Sequence, residues 1–522
     1  MALINLDAMI PRADFCDADG DQSAAQKIPA ISLQQLGPDS FLVPTLRKPD
    51  FQRETNHWSG DQVVTFLKSF LDNELVPSVI FWRSPGKIFV IDGAHRLSAL
   101  LGWINDDYGD GHISKAFYGH KISNEQQAAA ESLRKKINRE IGSFKAFYDL
   151  MKNRKNPGAD EIQIQRADNA RVRNLDLQWV EGDAEKAELS FFKINKQGTA
   201  LDKTEERLLR LRNYPIAIAS RSVVRAGKGH KYWSKFNEPY RNEIEVLSKE
   251  LHALLFAPEL QFPIKTLNLP HGGKSSPISA YNLLMDTFSY AITGSEKTDE
   301  KNYLYKNDED GSGTVQALKD LLKVMRRITG NGIESLGLHP AVYFYSQTGK
   351  HWDMIFISLI NVFSKAIRDN NNTFFKKFKD NRKKIELIFL QNKLLIAQAN
   401  VLIHSKYRIE RWTKLIEDAS NGKAFKDSAN QEEILSLLSV SGKIVVGSEV
   451  DASDAFSDNV KSAAYLAKSM EAAHICPLCE GYVQAEKSVS YDHITAKANG
   501  GKGGLDNIQL THPYCNSLKG SN

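Results

Sequence analysis

The chain has 522 residues, 42 % hydrophobic and 25 % charged, which is an ordinary globular composition and too long for a single hydrophobic core, so two or three domains are expected. A net charge of +5 permits a nucleic-acid partner without requiring one, because the charge per residue is small. No run of about eighteen apolar residues occurs, and the start, MALINLDAMIPRADFCDADGD, has acids where a secretion signal needs bases, so no membrane partner and a cytoplasmic location are expected.

Residues 1 to about 40 are polar, hold the isolated Cys16, and are assigned no chemistry. The spacing of Val63, Val64, Phe66, Leu67 and Phe70 predicts a helix. Strand-like SVIFW, a Ser-Pro-Gly turn and strand-like KIFVI follow, and DGAHRLSALLGWI reads as a tight turn into a second helix. Further on, LSFFKINK predicts an apolar strand, Gly198 a turn, and TEERLLRLR a helix capped by Asp202 or Thr204. These elements form an α+β domain over residues 1–235. From 236 the pattern is helical almost throughout, broken by the polar loops LPHGGKSSPIS and TDEKNYLYKNDEDGSGT, and VGSEVDASDAFSDN reads as a linker, giving a helical domain with linker over 236–455. A last module, 456–522, begins with a short helix that delivers the chain to a cysteine cluster. The fold class expected is α+β and multidomain.

In that last module Cys476 and Cys479 form a C-x2-C knuckle, and His512 with Cys515 an H-x2-C knuckle, so four soft ligands can close a tetrahedral zinc site. About fifty residues bury little core, which makes a metal staple physically sensible. Three of the four cysteines of the chain fall here, within forty residues, as expected for metal in a reducing compartment rather than for disulfides. Between the knuckles stand Asp492, His493, a glycine-rich loop and Asn507, and Asn516 follows the last cysteine. Phosphodiester hydrolysis needs an activated water, a cation to neutralise the pentavalent phosphate, and donors that hold the strand. A neutral histidine can take the proton from water, which suits His493, while Asp492 and Asn516 are hard oxygen ligands that suit magnesium or manganese. A zinc ribbon that only binds is the bland alternative.

The order of these residues resembles the HNH endonuclease family in its zinc-bound C-x2-C form, over roughly residues 474–520, with Asn516 where many members carry the final histidine. The resemblance implies a ββα-metal module with a structural zinc, a catalytic Mg2+ or Mn2+ on Asp492 and Asn516, and Asn507 bracing the loop that carries His493. Lys519 is a candidate phosphate contact, or a solvated lysine.

At DGAHR, Gly93 sits in the turn and Arg96 on the first helical turn, which aims backbone N–H groups and a guanidinium at one spot fit for a phosphate. A conformational glycine and a surface arginine explain the same residues. Together with Phe51-Gln52-Arg53, Trp58 and FFKINKQGTALDKTE, the motif resembles the DGQQR-motif family related to ParB and sulfiredoxin, found in GmrSD-type and SspE-type restriction proteins, and the DGQHR proteins of phosphorothioation systems; Ala94 replaces the usual glutamine. That resemblance implies a ParB/sulfiredoxin-like domain that senses a nucleotide or a DNA modification through Gln52, Arg53, Asp92, Gly93, His95 and Arg96, with Asn195 and Gly198 nearby, and gates an attached nuclease. No G-x-x-x-x-G-K-[ST] loop exists, so any nucleoside triphosphate would use this pocket.

The stretch FFKKFKDNRKKIELIF sets Lys376, Lys377 and Arg382 beside phenylalanines, as expected either of a DNA-backbone contact or of a solvated helix face over core aromatics. RSVVRAGKGHKYW, from Arg221 to Trp233, is a second basic candidate. The function expected is metal-dependent cutting of phage or foreign, possibly modified, DNA in an anti-phage or modification-dependent restriction system; a homo-oligomer is compatible with it. Two alternatives stay open: a non-cutting regulator that grips DNA or nucleotide, and an enzyme of small nucleotides with a structural zinc module.

Overall fold

The computed structural model describes residues 3–13, 27–49, 58–84, 86–119, 122–152, 160–182, 186–187, 190, 194, 203–228, 231–273, 277–297, 299–423, 431–440 and 456–520. Its contacts separate into two compact units, Met1–Arg212 with Lys228–Tyr232, and Asn213–Gly227 with Trp233–Asn522. No single described helix is long and apolar enough to cross a membrane.

The first unit is built on a mixed sheet of β1 (Arg12–Ala13), β2 (Ala30–Ser32), β3 (Leu46–Pro49), β4 (Val79–Ser84), β5 (Lys87–Asp92) and β6 (Asn174–Val180), in the order β1-β3-β5-β4-β6-β2. The β4–β5 pair is the antiparallel hairpin expected around Ser-Pro-Gly, while β3 joins β5 and β6 joins β4 in parallel. Helix α1 (Gly60–Leu71) starts at a capping box in which Ser59 and Gln62 satisfy each other's backbone N–H. Its residues Val63, Val64, Phe66, Leu67 and Phe70 are buried in the main core of the unit. Helix α2 (Ala94–Asn105) leaves β5 through Gly93.

One expected element is corrected. Lys186, Ala187, Ser190 and Ile194 lie in helix, not in the strand expected of LSFFKINK. Ala187 and Ile194, two helical turns apart, both pack on Trp82, Phe89 and Ile91, so tertiary contact overrides the β-propensity of the apolar run.

The second unit is helical for most of its length and ends in small strands. Helix α3 (Pro215–Val224) is buried along nearly its whole length, and with it Arg221. The basic reading of the Arg221–Trp233 stretch is corrected accordingly, since Trp233 is buried as well. Around it stand α4 (Glu238–Phe256), α5 (Ser312–Ile328), α6 (Asp353–Arg368), α7 (Asn372–Asp380), α8 (Arg382–Gln391) and α9 (Ser405–Ser420). Helix α10 (Asp458–Glu471), capped by Ser457, brings the chain to the knuckle. There β7 (Ser490–His493) and β8 (Ile508–Thr511) form an antiparallel ribbon that runs into α11 (Pro513–Lys519), the expected ββα order.

Candidate active site and metal centre

The knuckle closes on itself before it meets the rest of the module. Cys476 donates its N–H to Gly481 (2.9 Å) and its carbonyl accepts from Glu480 (2.8 Å), a tight turn completed by the positive φ of Glu480, +56°. The second ligand pair comes from a helix start: His512 is the N-cap of α11 and Pro513 its first residue, which places Cys515 one turn away from His512. The ligand atoms of Cys476, Cys479, His512 and Cys515 all lie within 4.8 Å of one another. His512 Nε2 meets the Tyr482 carbonyl at 3.0 Å, which fixes the tautomer that leaves Nδ1 facing Cys479 Sγ at 3.3 Å. Hydrogen bonds from Cys479 and Cys515 drive the Cys476 thiol down, and the same bonds push Cys479 up to about 12 and Cys515 higher still. Burial holds His512 below its ordinary value, hence neutral and able to ligate. A soft divalent cation resolves the competition among the thiols by ionising all of them, so the donor set fits zinc.

The oxygen-rich site lies on the adjacent ribbon, where Asp492 opposes Gln509 and His493 opposes Ile508. Successive strand residues point to opposite faces, so Asp492 turns inward toward α11 while His493 turns outward with the exposed Tyr491 and Ile508. The His493 imidazole is half-buried and makes no hydrogen bond with the described residues. Asp492 is buried and its Oδ2 accepts from Gln509 Nε2 at 2.6 Å and from Lys519 Nζ at 2.8 Å. Asn507 braces the loop after His493: its Oδ1 accepts from the Thr495 N–H at 2.7 Å and its Nδ2 donates to the carbonyls of Thr495 (3.1 Å) and Lys502 (2.8 Å). Asn516 donates through Nδ2 to Ser490 Oγ at 2.7 Å, which orients its amide and leaves Oδ1 as an oxygen ligand. Asp492 and Asn516 thus present free oxygens, a donor set that fits a hard divalent cation.

Behind the knuckle a buried ion pair joins this module to the helices. The Arg382 guanidinium, fully buried, meets Glu386 Oε1 at 2.7 Å and donates to the carbonyls of Leu336, Gly337 (2.9 Å) and Tyr482 (3.3 Å). Glu386 Oε2 in turn accepts from the Tyr482 N–H at 2.7 Å. The expectation that Arg382 contacts DNA is therefore corrected: its donors are spent inside the protein. Phe374, Phe375 and Phe378 are core residues too, whereas Lys376 and Lys377 are exposed on α7. Lys519, expected at a phosphate, is placed on Asp492 instead. Sequence reasoning missed Gln509 and Glu386 altogether.

In the first unit Gly93 has φ +89°, and a Cβ there would meet Val79 Cγ2 at 2.7 Å, so only glycine fits this turn. Arg96 does not stand free beside it: its Nη2 pairs with Asp92 Oδ2 at 2.7 Å and donates to the Ser78 carbonyl at 3.0 Å. His95 stacks on Trp58 with ring centroids 5.5 Å apart. Gln52, Arg53, Asn195, Gly198, Asp202 and Cys16 lie outside the described residues.

Residues 36–212 match the family model of the GmrSD restriction endonuclease N-terminal domain. Residues 476–522 match that of the HNH endonuclease. No curated protein and no solved structure matches the chain. One chain thus carries a GmrSD-type N-terminal domain and a C-terminal HNH endonuclease domain.

Proposed function

We propose that the protein is a metal-dependent DNA endonuclease of an anti-phage or modification-dependent restriction system, cutting at the HNH site under control of its N-terminal domain. The observation that carries this reading is the ββα ribbon that sets Asp492, His493, Asn507 and Asn516 beside a four-ligand soft-metal knuckle. Asp492 and Asn516 would hold Mg2+ or Mn2+, which neutralises charge on the phosphate and on the leaving oxygen. His493, on the outward face of β7, takes the proton from the attacking water and needs its neutral form to do so. Asn507 keeps the loop after His493 in one shape, and zinc on Cys476, Cys479, His512 and Cys515 holds the start of the module to α11. Lys376 and Lys377 offer exposed charge for the DNA backbone. Asp92, Gly93, His95 and Arg96, with Gln52 and Arg53, form the sensor site for a nucleotide or a modified base. The division into residues 1–235, 236–455 and 456–522 assigns these as sensor, helical domain with linker, and nuclease.

The test is nicking of supercoiled plasmid and of modified phage DNA with Mg2+ or Mn2+, with and without nucleoside triphosphate. His493→Ala is expected to lower the rate by at least about a hundredfold, the ordinary contribution of a general base. Dependence on modification or triphosphate, lost on Arg96→Ala, would assign the gate to the N-terminal domain. Zinc-loaded wild type that binds DNA but never cuts would replace this reading with a non-cutting regulator.

A further inference from the structure

The Lys519 ammonium sits among three oxygens: Asp492 Oδ2 at 2.8 Å, the Ile494 carbonyl at 3.3 Å and the His493 carbonyl. Three acceptors match the three donors of an ammonium. The pair is also shielded, with the Asp492 side chain only 9 % exposed and that of Lys519 30 %, so it is screened less than a surface ion pair. Lys519 follows Asn516 by one helical turn on α11, which puts both side chains on one face. A divalent cation held by Asp492 and Asn516 would therefore lie close to an ammonium of like charge that is bound to the same carboxylate. A lysine here has an alternative partner of opposite sign, since the substrate is a polyanion and His493 marks where its phosphate must come.

We propose that Lys519 is an exchangeable counter-ion: it holds the Asp492 carboxylate in the free protein and passes to a DNA phosphate when cation and DNA bind, so that each ligand strengthens the other through it. The inference rests on the reading of Asp492 as a cation ligand. By linkage the effect is reciprocal: whatever factor DNA adds to cation affinity, the cation adds to DNA affinity. A lysine is suited to the exchange because its charge rides on a flexible four-carbon stem that can swing between the two anions.

The experiment is titration of Mn2+ into the full-length, zinc-loaded protein, following free Mn2+ by electron paramagnetic resonance, with and without duplex DNA. His493→Ala serves as the background, so that the DNA stays uncut, and Mn2+ taken up by DNA alone is subtracted. DNA is expected to tighten Mn2+ binding at least about fivefold, the lower range of ordinary coupling between sites. Adding Lys519→Gln should tighten Mn2+ binding without DNA and remove most of the dependence on DNA; Lys519→Arg, which keeps the charge, should retain that dependence. An equal DNA effect in Lys519→Gln, or Mn2+ affinity no higher than in the background, overturns the proposal. Mn2+ binding unchanged by Asp492→Asn would overturn the cation-site reading beneath it, a result distinct from either Lys519 outcome.

Discussion

Two glycines and an asparagine show how single residues set this protein. Gly337 has φ +57°, and a Cβ there would come within 2.8 Å of Ser488 Cβ and 3.0 Å of His512 Cδ2. Gly337→Ala is expected to cost about 1–3 kcal/mol through backbone strain, visible in a denaturant titration and as faster loss of zinc to a chelator. Asn507 makes its three hydrogen bonds to a loop rather than to the knuckle, so Asn507→Ala should lower kcat while zinc content stays at one per chain. An equal loss of zinc would show that Asn507 merely supports the fold. The residues of this site that were legible in the sequence are those whose role follows from order alone: the two knuckles, Asp492, His493, Asn507 and Asn516. Gln509 was not, because its duty depends on which residue stands opposite Asp492. A long loop separates the two strands, and register is fixed only by short turns or by a buried face that a single sequence does not reveal.

At the scale of elements, α7 and α8 explain why a run of basic residues misled. They are separate helices that break at Asn381, and their inward face runs Phe378, Arg382, Ile385, Phe389, all buried and three or four residues apart. Helical periodicity alone marks Arg382 as an inward position, while Lys376 and Lys377 fall on the outward face. Arg382→Met would leave Glu386 buried without its partner, at a cost of about 3–5 kcal/mol; a double change of Arg382 and Glu386 to Met and Leu should recover much of that loss. Thermal unfolding of the three variants decides it, and a double variant as unstable as the single one would refute the ion-pair explanation. Helix α1 was legible for the opposite reason. Its Ser59–Gln62 box and its apolar face agree with each other, whereas at residues 186–194 local propensity and tertiary packing disagree, and packing prevails.

For the second unit as a whole, buried histidines couple stability to pH. Burial pushes His339 from 6.5 down to about 3, and His271, fully buried, well below its ordinary value too. As pH falls below 6.5 the unfolded chain takes up protons that the folded chain refuses until about 3, so stability declines through that interval. The melting temperature should therefore drop between pH 7 and pH 5, and His339→Leu should flatten the slope; an unchanged slope would exclude His339 as its source. The knuckle and the helices also share hydrogen bonds, from Tyr514 N–H to the Ser335 carbonyl (2.9 Å) and from Gly330 N–H to Ser488 Oγ (2.8 Å). Zinc removal should accordingly speed amide exchange in the 330–339 segment as well as in the module itself. The ββα order has a consequence for synthesis. The strand that holds Asp492 and His493 has no partner until β8 emerges from the ribosome, and the knuckle is short of two ligands until His512 and Cys515 follow. A chain that stalls before residue 507 lacks the ribbon, the loop brace and the closed knuckle together, so abandoned translation products of this nuclease would be harmless to the genome of the cell that made them.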